Sequence, residues 1–107
     1  MSGTNNIWYV YILVSETGVN YTGITNDIER RLWEHKTGSA KTSFARRYSV
    51  NKLVYLEEFS DVTDAIACEK RIKGWRRAKK DALITERNPE WRDLSEGFEE
   101  GLPEAGE

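Results

Sequence analysis

The chain has 107 residues, of which 38% are hydrophobic and 32% charged, and its formal net charge at pH 7 is −2. This length supports one domain with a modest core. The single cysteine, Cys68, excludes an intrachain disulfide, and no apolar run is long enough for a membrane span, so we expect a cytoplasmic protein.

The first two predicted elements are strands. Residues 7–14 form an apolar run interrupted only by tyrosine hydroxyls, which is typical of a strand covered on both faces. Residues 20–25 predict a second strand. The stretch 15–19 between them contains a glycine and predicts a hairpin loop.

The pairing of these strands decides which side chains share a face. If Val14 pairs with Asn20, then Tyr11 lies opposite Gly23. Because side chains alternate across a strand, Tyr11, Tyr21 and Gly23 then lie on one face, and no side chain at Gly23 covers the Tyr11 ring. A slip of one residue would break this arrangement, and the sequence leaves the register open.

An arginine-rich helix is predicted after the second strand. Asn26 is a candidate N-cap, and steps of about 100° per residue place Ile28, Leu32 and His35 in one stripe. Arg31 lies at the edge of that stripe, one turn before His35. We therefore expect the two tyrosines to meet an Arg/His pair where strand and helix pack.

A third strand and a second helix follow a predicted loop at residues 36–50. Residues 52–59 alternate as a strand does, and residues 62–73 form a helical pattern. Asp61 is a candidate N-cap for this helix, and Gly74 stands at the place where helices commonly end.

The second predicted helix carries an acidic residue within its apolar arc. The apolar members are Val62, Ala65, Ile66 and Ile72, and Glu69 falls among them. A carboxylate that faces a core is costly unless it is paired or bound to a cation. Pairing with Lys73 four residues on and binding of a metal ion both account for Glu69, and the sequence leaves the two open.

A third helix is predicted over residues 77–86 and stops before Asn88-Pro89. For Asn88 we favour a structural role as the residue that ends this helix. The following segment is expected to pack back on the domain through Trp91.

The tyrosines, the glycine, the arginine, the histidine and the glutamate together resemble the GIY-YIG nuclease family, in particular its short stand-alone bacterial members. The resemblance covers roughly residues 7–94, and the matching positions are Tyr11, Tyr21, Gly23, Arg31, His35 and Glu69. The chain departs from the family pattern at Tyr9, Val10 and Thr22. Ile24 stands where some family nucleases have lysine, which weighs against a lysine-assisted mechanism from that position.

The resemblance implies a site for hydrolysis of a phosphodiester bond. Tyr11 or Tyr21, with a pKa lowered by nearby cations, would be the base, and Arg31 would hold a phosphate oxygen. His35 would orient a tyrosine or relay its proton. Glu69 would bind one divalent cation, Mg²⁺ or Mn²⁺.

Clustered basic residues favour a nucleic-acid partner, although such runs are also typical of a solvated helix face. We favour DNA over RNA, and the sequence leaves that choice open. Residues 95–107 hold five glutamates and no lysine or arginine, so residues 1–94 have 16 basic and 13 acidic side chains, a balance of +3. We expect a nuclease domain at residues 1–94 and a disordered acidic tail at 95–107. The candidate contacts to nucleic acid are Arg30, Lys41, Arg46, Arg47, Lys73, Arg76 and Arg77.

The predicted fold is an α/β sandwich of the GIY-YIG type, a three-stranded antiparallel sheet flanked by helices in the order β-β-α-β-α-α. The predicted function is a divalent-metal-dependent endonuclease with structure-directed or weak specificity, because a short domain has little surface for sequence readout. One alternative is a nucleic-acid-binding module without efficient cleavage. Another is a protein-interaction domain that uses Trp33 and Trp75 as contacts.

Overall fold

A computed structural model describes the chain over residues 7–37 and 52–95, with side chains at 7–34 and 52–95. Its strands are β1 (Trp8–Val14), β2 (Asn20–Thr25) and β3 (Lys52–Phe59). Its helices are α1 (Ile28–Thr37), α2 (Val62–Lys73) and α3 (Arg77–Arg87). This element order confirms the predicted α/β fold. The expected loop residues Lys41, Arg46 and Arg47, and the acidic tail from residue 96 onward, lie outside the described residues.

The sheet is antiparallel, with β1 at its centre in the order β2-β1-β3. Val14 pairs with Asn20, and Tyr11 lies opposite Gly23, so of the registers that the sequence left open the structure has the one that places Tyr11, Tyr21 and Gly23 on one face. The hairpin loop turns at Gly18, whose φ of 94° is readily adopted only by glycine. The Ser15 N–H donates to the Val19 carbonyl at 2.8 Å and closes the loop.

Each face of the sheet has its own core. On one face, α1 packs on the sheet through Ile28 and Leu32, together with Tyr11 and Leu13 of β1. On the opposite face, α2 and α3 cover the sheet; the buried residues there are Val10, Ile12, Val14, Val54, Tyr55, Ala65, Cys68, Ile72 and Ile84. The central strand is therefore covered on both sides, as its continuous apolar run predicts.

The N-cap of helix α1 is one residue later in the chain than the sequence predicted. The Asp27 carboxylate accepts a hydrogen bond from the Arg30 N–H at 3.2 Å, which makes Asp27 the N-cap. The prediction of Asn26 as the cap was wrong. Asp27 is itself held by the Thr25 hydroxyl, which accepts from the Asp27 N–H at 3.0 Å. Both candidates are good capping residues, and the path of the chain out of β2 decides between them.

Helix α2 presents a narrower stripe to the sheet than its sequence predicts. Asp61 caps it, accepting from the Thr63 N–H at 2.8 Å, and Gly74 ends it with a negative φ. The buried residues are Ala65, Cys68, Glu69 and Ile72. Val62 and Ile66 are exposed, so their assignment to the buried arc was wrong. Ile66 is about 100° around the helix from Ala65 and points away from the sheet.

The segment after α3 closes the free edge of β3. Asn88 ends the helix, and its amide donates to the Val54 carbonyl at 3.1 Å. Trp91 packs on the α2–α3 face of the sheet, and Leu94 packs on the α1 face. The Leu94 N–H donates to the Leu53 carbonyl at 2.7 Å. Ser95, expected to open the tail, is buried, and its N–H donates to the Asp93 carboxylate at 3.0 Å.

Candidate active site

The candidate site forms around the ring of Tyr11 where it crosses strand β2. A Cβ atom placed on Gly23 would lie 2.5 Å from the Tyr11 hydroxyl oxygen and 2.6 Å from the ring carbon that bears it. Only a glycine therefore lets the ring lie across β2. Because β2 is an edge strand, this brings the hydroxyl to the border of the sheet.

Tyr21 lies beside Tyr11 on the same face. The two ring centroids are 6.3 Å apart and the ring planes are tilted by 45°, within the usual range for a packed aromatic pair. Tyr11 is almost fully buried, whereas Tyr21 is half-buried. The pair thus has an inner ring that is fixed by packing and an outer ring that solvent reaches.

Charged groups from both helix layers act on the Tyr11 hydroxyl. Burial is the main cause that raises the pKa of Tyr11 well above its ordinary value, and the neighbouring Tyr21 ring and the carboxylates of Glu34 and Glu69 raise it further. The Arg31 guanidinium opposes them by lowering that pKa. The site therefore brings together four of the predicted residues: Tyr11, Tyr21, Arg31 and Glu69.

The direction of the Tyr11 pKa shift contradicts one expectation. The family resemblance implied that nearby cations would lower the pKa of the tyrosine base. For Tyr11 the removal of solvent outweighs the single arginine, because a buried phenolate loses its hydration. Tyr11 is thus protonated near neutral pH.

Arg31 reaches the site from the first turns of α1. Its side chain is partly exposed, and its guanidinium lies 3.2 Å from the Glu34 carboxylate. Arg30 contacts the other oxygen of the same carboxylate, also at 3.2 Å. His35 lies in the same helix, but its side chain is outside the described residues.

Glu34 is a site residue that the sequence analysis missed. It lies three residues after Arg31 and four after Arg30, the two spacings at which helical side chains are neighbours. That spacing was a usable signal, although acidic residues near arginines on helices are common. Its carboxylate holds both guanidinium groups and acts on Tyr11.

Glu69 enters the site from α2, which packs against all three strands. The residue is 9% exposed, and its carboxylate pairs with the Lys73 ammonium at 2.6 Å. The i+4 pairing that the sequence left open is therefore present.

The Glu69 carboxylate suits a weakly chelated divalent cation. It is a hard oxygen donor whose charge is already offset by one cation, the Lys73 ammonium. Over residues 7–34 and 52–95, no group of three or more His, Cys, Asp or Glu side chains is placed to hold a metal ion. A lone carboxylate fits a cation that keeps most of its water, as Mg²⁺ does, and oxygen ligands also suit Mn²⁺.

The remaining predicted basic residues differ in their contacts and exposure. Arg77 donates to the Gly18 carbonyl and lies 3.8 Å from the Asp81 carboxylate, so it ties α3 to the hairpin loop. Arg76 is exposed just before α3. Next to α1, a cavity of about 300 Å³ is lined by Thr25, Asn26, Asp27, Arg30, Arg31 and Glu34.

The two tryptophans predicted as alternative contacts differ in exposure. Trp33 is 57% exposed on α1. Trp75 packs against the α2–α3 core, and the Lys79 ammonium lies 4.4 Å from its ring centroid. Trp75 is therefore mainly a packing residue. None of the helices at 28–37, 62–73 and 77–87 is long and apolar enough to cross a membrane.

The fold and this arrangement of tyrosines, arginine and glutamate define a GIY-YIG protein. The family model for the GIY-YIG catalytic domain matches residues 7–82, and the chain belongs to that family. Members of this family are typically nucleases that act on nucleic acid. The predicted membership is thereby confirmed.

The chain is similar over most of its length to short bacterial proteins called UPF0213. It is 42% identical to one from Bacillus pumilus over 79 residues, covering 73% of this chain and 79% of the relative. It is 32% identical to one from Lacticaseibacillus paracasei over 85 residues, covering 79% and 94%. The solution structure of a UPF0213 protein from Bacillus halodurans matches with a TM-score of 0.55 and 29% identity, covering 83% and 94%.

Proposed function

We propose that this protein is a divalent-metal-dependent endonuclease that hydrolyses phosphodiester bonds in nucleic acid. The observation that carries the proposal is the convergence of two tyrosines, an arginine and a buried glutamate at one edge of the sheet. Phosphodiester hydrolysis needs a deprotonated water, compensation of charge on the phosphate oxygens and a stabilised leaving alkoxide. The converging groups are suited to all three tasks.

Arg31 and Glu69 carry the electrostatic part of the mechanism. Arg31 is partly exposed and offers planar N–H donors to a non-bridging phosphate oxygen. Glu69 would hold the divalent cation through its carboxylate. When bound, the cation offsets charge on the phosphate and on the leaving oxygen and lowers the pKa of coordinated water.

The two tyrosines take different roles in the proposed mechanism. Tyr11 is protonated near neutral pH because burial raises its pKa, so it donates a hydrogen bond that orients the attacking water or the phosphate. Tyr21 is half-buried, so its hydroxyl can exchange a proton with solvent, and in its deprotonated form Tyr21 would accept the proton of that water.

The substrate is nucleic acid, with DNA favoured over RNA, and recognition is by shape or is weakly specific. Arg30, Lys73 and Arg76 are exposed side chains that offer positive charge to a phosphate backbone. The described residues, 7–37 and 52–95, form one small domain. A domain of this size has limited surface for reading bases.

The test is a cleavage assay at low salt with labelled single-stranded, duplex and flap DNA and with RNA, with and without Mn²⁺ or Mg²⁺. We expect the wild type to cut at least one substrate only when the metal is present, and Glu69→Gln to reduce the rate by at least about 100-fold, the scale of losing a main electrostatic stabiliser. Glu86→Gln is the matched control, because Glu86 is exposed on α3. Cutting by Glu69→Gln at the wild-type rate would refute the proposed role of Glu69.

A non-cleaving nucleic-acid-binding module is the second candidate function. Two observations favour it: the Glu69 carboxylate is paired with Lys73, and the pKa of Tyr11 is raised. Such a module would bind DNA in a salt-sensitive and metal-independent way. Equal binding by wild type and Glu69→Gln, with no product from any substrate, would favour it over the nuclease.

A further inference from the structure

Lys73 places a positive charge where the proposed cation would bind. Its ammonium lies 2.6 Å from one oxygen of the Glu69 carboxylate. The Glu69 side chain is 11% exposed, whereas that of Lys73 is 53% exposed. The lysine therefore approaches the carboxylate from the solvent side, which is also the side from which a hydrated ion would arrive.

The strands of the site supply no positive charge of their own. Neither β1 nor β2 contains a lysine or arginine, and Ile24, next to Gly23, packs against the α2–α3 core. Among the described residues, Arg31 of α1 acts on Tyr11, and Lys73 of α2 pairs with Glu69. Each of them is paired with a carboxylate, Glu34 in the first case and Glu69 in the second.

We propose that Lys73 holds the Glu69 carboxylate in the metal-free protein, is displaced when the divalent cation binds, and then contacts a phosphate oxygen of the nucleic acid. This inference rests on the proposed function, because it assigns the cation to Glu69. Lys73 is in this view a second positive group of the site, delivered from α2 instead of from the strands.

Charge and flexibility both support the exchange. An ammonium and a divalent ion repel each other, so a cation bound to the Glu69 carboxylate weakens the pairing of that carboxylate with Lys73. The pair that must be broken is a partly exposed one between neighbouring helical turns, and such pairs are weak. A lysine has a flexible four-carbon stem and three donors, so it can turn from the carboxylate to a phosphate without movement of the backbone.

The exchange couples the binding of metal and of nucleic acid. A bound cation frees the Lys73 ammonium, which strengthens contact with the phosphate backbone. By linkage, bound nucleic acid that attracts Lys73 strengthens the binding of the cation by the same factor. The wild type should show this coupling, and a variant without the ammonium should show less of it.

The experiment measures Mn²⁺ binding to the full chain without nucleic acid, from the electron paramagnetic resonance signal of free Mn²⁺. We expect Lys73→Met to bind Mn²⁺ about fivefold more tightly than the wild type, equivalent to about 1 kcal/mol for a partly exposed ion pair. Lys70→Met is the matched control, since Lys70 is exposed on the same helix beside Glu69 in sequence. It removes the same charge and is expected to change the affinity by less than about twofold.

A second titration, with a nuclease-resistant phosphorothioate DNA duplex present, tests the coupling. The duplex should tighten Mn²⁺ binding in the wild type and in Lys70→Met more than it does in Lys73→Met. Thermal unfolding of each variant establishes that it is folded before either titration is interpreted.

The outcomes separate this inference from the proposed function. Glu69-dependent Mn²⁺ binding that is the same in Lys73→Met and Lys70→Met would overturn the role of Lys73 and leave the metal site standing. Mn²⁺ binding that survives in Glu69→Gln, or that is absent from wild type and Lys73→Met alike, would overturn both.

Discussion

Gly23 determines the geometry of the site more directly than any charged residue does. A Cβ atom there would stand 2.5 Å from the Tyr11 oxygen and 3.0 Å from a Tyr21 ring carbon. The ring of Tyr11 is buried and cannot swing away freely, because Leu13, Ile28 and Leu32 pack in the same cluster. The glycine is therefore needed for space and not for an unusual backbone angle.

We predict that Gly23→Ala destabilises the protein by about 1–3 kcal/mol, the usual cost of an overpacked core. The measurement is urea unfolding followed by tryptophan fluorescence. Gly74→Ala is the matched control, because a Cβ there meets its nearest atom at 3.6 Å, an ordinary contact. If Gly23→Ala were as stable as Gly74→Ala, the described position of the Tyr11 ring would be incorrect.

Single residues also mark the limits of prediction from sequence. The motif spacing predicted Tyr11, Tyr21, Arg31 and Glu69, and the structure brings these residues together. The pKa of Tyr11 was predicted in the wrong direction because charges are visible in a sequence, whereas the loss of solvent around a side chain is a property of the packed fold. Glu34 was overlooked for a related reason. Whether its carboxylate acts on Tyr11 depends on which face of α1 packs on the sheet, and the sequence does not show that.

At the scale of elements, strand β3 carries an irregularity that the segment after α3 stabilises. Ile12 pairs with Tyr55 and Leu13 with Leu53, so Val54 is an extra residue in the ladder. Asn88 donates to the Val54 carbonyl at 3.1 Å and to the Arg92 carbonyl at 2.9 Å. Its side-chain oxygen accepts from the Arg92 N–H at 3.0 Å. One amide side chain thus joins the bulge to the chain beyond the helix.

We predict that Asn88→Ala destabilises the protein by about 2–4 kcal/mol. The substitution removes three hydrogen bonds worth about 1 kcal/mol each and leaves buried backbone groups without their partner. Chemical unfolding measures the change. Asn26→Ala is the matched control, because Asn26 is exposed and does not cap α1, and we expect it to cost less than about 0.5 kcal/mol. A loss for Asn88→Ala as small as the control's would contradict the bridging role.

The strands were predicted more accurately than the ends and faces of the helices. Alternation and apolar runs predicted β1, β2 and β3, whereas the sequence left the register open and the structure shows that Val14 pairs with Asn20. For the helices, Asn26 and Asp27 are equivalent candidates in the sequence, and only the hydrogen bond to the Arg30 N–H distinguishes them. The exposure of Ile66 likewise depends on how α2 is rotated against the sheet.

At the scale of the whole molecule, a buried tyrosine lies on each face of the sheet. Tyr11 belongs to the cluster under α1, and Tyr55 belongs to the cluster under α2 and α3. Burial is the largest cause that raises the pKa of Tyr55, followed by its hydrogen bond to the Glu57 carboxylate. Both layers of the protein therefore depend on a phenol that stays protonated.

We predict that stability is lost in alkaline solution. The unfolded chain releases tyrosine protons near the ordinary pKa of 10.0, whereas the folded chain retains those of Tyr11 and Tyr55 to higher pH. The stabilisation is therefore fully present below pH 10 and is lost as pH rises toward the folded pKa values. Each tyrosine adds a slope of up to about −1.4 kcal/mol per pH unit.

Urea unfolding between pH 8 and pH 11 measures this slope. The comparison of wild type with Tyr11→Phe cancels the titration of lysines, which is common to both. We expect the stability difference to be constant up to about pH 9 and then to move in favour of Tyr11→Phe. A difference that stays constant to pH 11 would contradict the raised pKa of Tyr11.

Residues 93–95 cover the edge of β3, so this edge is covered later during synthesis on the ribosome than the β1–β2 hairpin forms. The β1–β2 hairpin can pair as soon as it emerges, because its partners are close in sequence. Among the described residues, the outer edge of β3 is contacted by Asp93 and Leu94, which reach Leu53 some forty residues later in the chain. During synthesis, at about 5–20 residues per second, the free edge of β3 is a surface on which nascent chains could pair. The contacts of Asp93 and Leu94 with Leu53 therefore protect this edge from pairing with other chains only late in synthesis.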